Sequence, residues 1–269
     1  MNLLIALGLN FGLLVAIMLI LWLISVRIRD VSFIDAFWAY GMAIMASAAL
    51  LQTDSPGPLA YTIWLLTVLW GVRLGTHLFL RWRKEGIDPR YRKIIGHAID
   101  KQGMSFAQAA LLRAWALQIP LLFLVCLPAQ LGILLSGSVN LSPLSIIGAV
   151  IALIGIGFET IGDMQLKAFK ANPANKGKVL DSGLWKYTRH PNYFGDFCAW
   201  WGIWLAAAPV GWPVWVAAIG PIFLSFTLMK WSGAPLLEKS LKKNKPGYVA
   251  YIKRTSGFFP MPPKKGQDR

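Results

Sequence analysis

The sequence predicts an all-α, polytopic membrane protein with seven transmembrane helices, its amino terminus outside and its carboxyl terminus cytoplasmic. Three observations lead there. Of 269 residues, 56% are hydrophobic and 14% charged, against roughly a quarter charged in an ordinary soluble domain. Seven apolar stretches approach the ~20 residues that cross about 30 Å of hydrocarbon as helix. The 27 Lys and Arg, which outnumber 12 Asp and Glu to give a net charge of +15, are confined to alternate loops. In a soluble protein that excess would suggest nucleic acid as partner; placed beside membrane spans it points to lipid and excludes nucleic acid.

The spans are expected at about residues 2–26, 33–52, 59–82, 109–135, 143–165, 193–208 and 212–231. The first has no A-x-A cleavage site and is too long for a removable signal peptide, so it is expected to be retained. The last two are joined by AAAPVGWP and form a helical hairpin. The linkers QTDSPGP, SGSVNLSP and 207–212 carry no Lys or Arg. Their alternates hold Arg27 and Arg29, then RWRKEGIDPRYRK, KAFKANPANKGK and the tail KSLKKNKPGYVAYIKR. The positive-inside rule makes these basic segments cytoplasmic. Cys126 and Cys198 lie inside apolar spans and read as small buried hydrophobes, with no disulfide or thiolate metal site. With no internal repeat, the chain reads as one transmembrane domain.

Ionisable side chains within spans are costly and face a bundle interior or a wet cavity. Arg73, His77 and Arg81 recur every four residues in span three and so share one helical stripe. Arg81 is placed to snorkel; Arg73 lies about two turns deeper. In span two Asp35 is set just inside the cytoplasmic end, with Trp38 one turn on; an ion pair with Arg27 or Arg29 would also account for it. In span five Glu159 and Asp163 are four apart, and Glu159 lies about 24 Å from the outer end. The stretch RHPNYFGD opens span six. Helices of opposite direction thus place polar residues at one depth, and a chamber open to the cytoplasm is the expected cause.

The basic segments around it interleave aromatics: WRKEGIDPRYRK, LKAFK, LWKYTRHPNY and GYVAYIKR. Cations suit phosphate oxygens and rings suit a base. Contact with anionic headgroups is expected for the tail lysines Lys242, Lys243 and Lys245. GIGFETIG lacks the spacing and the preceding strand of a dinucleotide fingerprint, and its glycines are read as helix-packing positions. No GxxxxGK[ST], HExxH or CxxC is present, and no metal is expected.

GLWKYTRHPNYFGD, an apolar hairpin and SGAPLLEKSLKKNKPGYVAYIKRTSGFFP together resemble the steroid 5α-reductase C-terminal-domain family, particularly its bacterial members. The wider group includes sterol C14 and C7 reductases and isoprenylcysteine carboxyl methyltransferases. The resemblance covers most of residues 33–263 and is strongest from 159 onward. It implies a bacterial inner-membrane enzyme, with substrate-side helices over 1–135 and cofactor-binding helices over 143–260, that binds NADPH without a Rossmann domain. Carried over by position, it implies cofactor contacts for Asp163, Gln165, Lys167, Lys170, Trp185, Arg189, His190, Asn192, Tyr193 and Asp196, and in the tail for Glu238, Tyr248 and Tyr251. Glu159 stands where the steroid enzymes have an asparagine.

The family's substrate end uses a Gln-Glu pair on the second span and a Tyr on the third. Here those places offer Ile34 with Asp35, and His77. The implied reaction is reduction of a carbon-carbon double bond conjugated to a carbonyl in a lipophilic substrate such as a 3-oxo-Δ4 steroid, with Asp35 and His77 as catalytic pair and Trp38 and Arg73 at the substrate. The alternative is an S-adenosylmethionine-dependent methyltransferase of the isoprenylcysteine type. No obligate protein partner is expected.

Overall fold

The computed structural model describes residues 2–231 and 233–264. Among them the regular elements are helical, with one isolated parallel bridge between Thr188 and Ser256. In order they are α1 (Leu3–Ile28), α2 (Ile34–Leu51), α3 (Pro58–Glu85), α4 (Pro89–Gln102), α5 (Phe106–Ser136), α6 (Pro143–Ala171), α7 (Pro191–Ala207), α8 (Trp212–Trp231), α9 (Ala234–Asn244) and α10 (Tyr248–Arg254).

Six of these, α1, α2, α3, α5, α6 and α8, are long and apolar enough to cross a membrane, which makes the chain a polytopic membrane protein by length and composition. The seventh expected crossing, 193–208, corresponds to α7. At 17 residues it is about 26 Å long, short of the ~30 Å hydrocarbon core. The basic loop after α3 also differs from expectation. It contains a 14-residue helix, α4, because Asp88 accepts from the Arg90 N–H at 2.7 Å, Pro89 occupies the first turn and Gly103 closes the helix at φ 65°. An Asp-Pro start and a left-handed glycine stop are a complete set of helix signals.

The chain divides into two compact units, residues 1–146 with 203–220, and residues 147–202 with 221–269. In the first, α1 buries a stripe of Asn10, Leu14, Met18 and Ser25, while Leu4, Leu9 and Leu23 are exposed. A helix apolar on all sides with large exposed residues belongs in lipid. Helices α2 and α3 pack closely at Gly71, where an added Cβ would stand 2.6 Å from the Ala39 carbonyl oxygen. Buried amides link three helices: Asn10 Nδ2 donates to Gln130 Oε1 at 3.0 Å, and Gln52 Nε2 to Asn10 Oδ1 at 2.6 Å. Helix α5 carries a π turn at Leu111–Trp115 and two internal prolines, Pro120 and Pro128.

In the second unit α6 and α7 meet through small residues. An added Cβ on Gly155 would stand 2.5 Å from the Ala199 nitrogen, and one on Gly195 2.5 Å from the Glu159 nitrogen. Two of the three glycines of GIGFETIG therefore serve packing as expected, Gly155 and Gly162, whereas Gly157 faces open space. Small-residue stripes let helix backbones approach where lipid offers no hydrophobic drive for association. Replacing Gly195 with Leu is expected to destabilise the fold by ~1–3 kcal/mol or more through overpacking. Gly157→Ala is expected to be neutral or stabilising by up to ~1 kcal/mol. Thermal unfolding of the detergent-solubilised variants checks both.

Candidate functional site

The segment RHPNYFGD begins α7. Pro191 occupies its first turn, the Phe194 N–H donates to the His190 carbonyl at 3.0 Å, and the His190 N–H donates to Thr188 Oγ1 at 3.2 Å. This start is fixed to the tail. Thr188 Oγ1 donates to the Phe258 carbonyl at 2.7 Å, the Arg189 N–H to the Ser256 carbonyl at 2.9 Å, and the Met261 N–H to the Tyr187 carbonyl at 3.0 Å.

Arg189, His190 and Glu238 form the centre. Arg189 Nε donates to Glu238 Oε1 at 2.8 Å, and His190 Nε2 lies 2.9 Å from the same oxygen. Arg189 Nη1 also donates to the carbonyls of Thr255 at 2.7 Å and Ile252 at 3.3 Å, so one guanidinium closes the carboxyl end of α10. A cation there satisfies carbonyls the helix cannot. Burial alone would raise the Glu238 carboxyl. The hydrogen bonds from His190 and Arg189, with the Arg189 charge, outweigh it and hold the group at about 2. The His190 ring is 1% exposed and stacks on Tyr193, centroids 5.2 Å apart and 6° from parallel. Its Nδ1 is buried with no hydrogen-bond partner among the described residues.

Beside this centre opens a cleft of about 620 Å³, within the ~300–1,000 Å³ usual for ligand sites. Arg189, Lys230, Lys239, Lys242 and Lys243 line it, against one carboxylate, Glu238. Met229, Ala234, Pro235, Gly257 and Phe258 supply the apolar wall. Lys242 and Lys243, expected at headgroups, line this cleft, and Lys245 donates to the Lys178 carbonyl at 2.6 Å. Lys230 and Lys239 were missed by the sequence reading; the spacing of 235, 239 and 242 along α9 was the available signal.

Other expected cofactor residues hold the connector between α6 and α7. Gln165 Oε1 accepts from the Leu184 N–H at 3.0 Å, Trp185 Nε1 donates to the Gly162 carbonyl at 3.0 Å, and the Tyr251 hydroxyl donates to the Trp185 carbonyl at 2.5 Å. Tyr248 is buried with its ring 5.7 Å from that of Tyr251. Glu159, Asp163 and Asp196 are buried at 3%, 6% and 9% exposure, Asn192 is half-buried, and Lys167 and Lys170 are exposed.

In the first unit Asp35 sits in the first turn of α2. It accepts from Arg90 Nη2 at 2.6 Å and from the Tyr91 hydroxyl at 2.7 Å, with Arg81 at 4.0 Å. An ion pair with Arg27 or Arg29 was one alternative account of Asp35; the arginine bound to it is Arg90, from α4. Burial first, then the Asp35 charge and hydrogen bond, push the Tyr91 phenol well above its usual value. Trp38 Nε1 donates to Gln118 Oε1 at 2.5 Å. His77 and Arg73 are half-buried on α3. The cavity beside Asp35 and Arg81 measures about 70 Å³, room for a few waters but not for a ligand of the size a steroid has. Among the described residues no cluster of His, Cys, Asp and Glu is placed to hold a metal.

Comparison with known proteins adds three findings. A 73-residue stretch is 36% identical to a probable O-methyltransferase, ustE, of Ustilaginoidea virens, covering 27% of this chain and 26% of that protein, so the chain spans about a quarter of the curated relative it matches. No solved structure matches. A family model for proteins of unknown function, DUF1295, matches residues 21–255, and the chain belongs to that family.

Proposed function

We propose that the protein is an NADPH-dependent membrane reductase of a carbon-carbon double bond conjugated to a carbonyl in a lipophilic substrate, with a 3-oxo-Δ4 steroid as the type. The observation that carries this reading is the cleft: its volume suits a dinucleotide, and five cations facing one already-paired carboxylate suit phosphate oxygens. When bound, NADPH supplies a hydride to the β carbon of the enone. Arg189, kept in place by Glu238 and the Thr255 carbonyl, orients the phosphates, and His190, buried beside it, helps to hold the Glu238 carboxylate through Nε2.

Charge then builds on the substrate's carbonyl oxygen and requires a donor. His77 is assigned that hydrogen bond and the proton that follows. Asp35 accepts from Arg90 and Tyr91, so its assigned role is to fix the local electrostatics rather than to donate. In this reading α7, extended by the turn Ala208–Val210, makes a seventh crossing, and the tail is cytoplasmic in a bacterial inner membrane.

A second reading, an S-adenosylmethionine-dependent methyltransferase, has the 73-residue similarity in its favour. Titrating the detergent-purified protein with each cofactor separates them. The expected result is binding of NADPH, with loss of nicotinamide absorbance on adding a Δ4-3-ketosteroid; binding of S-adenosylmethionine alone would overturn the reductase reading. Asn192→Ala is expected to weaken NADPH binding by about tenfold, the worth of one hydrogen bond to a charged or buried group. Turnover retained in both Asp35→Ala and His77→Ala would remove that pair from the chemistry.

The paired Glu238 also predicts an acid limb. A carboxyl ordinarily near 4.5 and held at about 2 in the fold stabilises the native state above the higher value, and the contribution disappears as pH falls through the lower one. Melting temperature measured across that window should fall in the wild type. In Glu238→Gln it should start lower and lose this part of the slope.

A further inference from the structure

We infer that the lysine face of α9, completed by Lys230, is a phosphomonoester-reading rim that selects a dinucleotide carrying a 2′-phosphate over one that lacks it. The inference rests on the NADPH reading and assigns a source for cofactor preference that no motif in the sequence supplies.

Four facts lead to it. Lys239, Lys242 and Lys243 follow Pro235 at helical spacing, so they share the face of α9 that lines the cleft. Lys230, from the end of α8, lines the same cleft. Arg189, the remaining cation, is already engaged by the Glu238 carboxylate and two backbone carbonyls, so its capacity for a second anionic group is reduced. The lysines are exposed, and Glu238, the carboxylate among the described lining residues, is bound by Arg189 and His190 instead.

The two kinds of cation suit different jobs. A guanidinium locked by four acceptors is a rigid positioning group. Flexible ammonium groups gathered on one helix face adapt to a compact dianion. A pyrophosphate diester carries one charge per phosphorus, whereas a phosphomonoester approaches two near neutral pH, and several lysines act together on the latter. Because charges at an exposed rim are screened within about 8 Å at physiological salt, the selection has to come from contact.

The same chemistry is offered by an anionic headgroup, notably phosphatidic acid, or by free phosphate. The test therefore measures dissociation constants for NADPH, NADH, 2′,5′-ADP and 5′-AMP in neutral detergent, then repeats them with added phosphatidic acid or inorganic phosphate. Wild type is compared with Lys239→Gln, Lys242→Gln, the Lys239→Gln/Lys242→Gln/Lys243→Gln triple variant and the control Lys253→Gln, an exposed lysine outside the cleft. The expected result is a preference for NADPH over NADH that falls by up to about tenfold for each lysine neutralised, with NADH affinity nearly constant and the control unchanged.

A preference that survives in the triple variant, or falls equally in Lys253→Gln, overturns the inference while leaving the NADPH reading intact. Saturable binding of phosphatidic acid that is abolished in the triple variant, with the nucleotide preference untouched, assigns the rim to lipid and likewise overturns it. If neither dinucleotide nor 2′,5′-ADP binds the wild type, the NADPH reading itself fails, and the inference with it.

Discussion

The Glu238 carboxylate is the interaction on which the second unit depends. It is nearly buried, and a buried charge is tolerated only when paired and hydrogen-bonded. Its two partners, Arg189 and His190, are adjacent at the start of α7, while Glu238 lies on α9 about fifty residues later. Arg189 then reaches the last carbonyls of α10. One carboxylate thus ties a helix start, a tail helix and a helix end. The neighbouring bonds, Thr188 to Phe258 and Tyr251 to Trp185, are neutral, and they align the same segments.

The first unit uses the same device with different residues. Asp35, at the start of α2, is bound by Arg90 and Tyr91 from α4, and Arg90 is shared with Asp88, the cap of its own helix. Trp82 adds a bond to Asp30 at 2.7 Å. In both units a carboxylate–arginine pair ties the start of an apolar helix to a polar helix, with the carboxylate on the apolar helix in the first unit and the arginine at its start in the second. This explains why so few acidic residues suffice in a chain with 27 Lys and Arg: the acids serve as anchors, and the surplus cations remain for whatever lies outside.

How much of this was legible follows from which forces leave a local mark. Hydrocarbon thickness imposes a run length, so α1, α2, α3, α5, α6 and α8 could be read directly from the chain. The apolar run at 193–208 is shorter than the others and ends in Ala-Ala-Ala-Pro, and α7 matches it at 17 residues, fewer than a crossing ordinarily takes. Helix α4 was passed over because a charged segment between spans was treated as loop, although Asp88, Pro89 and Gly103 marked both its ends. At RHPNYFGD the concentration of polar groups was visible, but a partner 48 or 49 residues away leaves no periodicity; Glu238 was reached through the resemblance. That Lys242 and Lys243 also line a cleft was not legible, because the other wall of that cleft comes from segments distant in sequence.

The choice between the two cofactors turns on that surplus charge. S-adenosylmethionine carries a sulfonium and an ammonium against one carboxylate, so it is itself a net cation. A cleft with five cations, one of them neutralised by Glu238, repels such a ligand unless a further anion intervenes. A dinucleotide phosphate brings three phosphate groups and gains from every lysine it meets. Similarity over 73 residues to a probable O-methyltransferase speaks for shared ancestry of a segment, and related scaffolds carry different chemistries in sites set by a few side chains. Electrostatics acts on the ligand itself, so it is the argument on which the proposed NADPH reading rests: in that reading the phosphates would supply the negative charge that the lysines around the cleft lack.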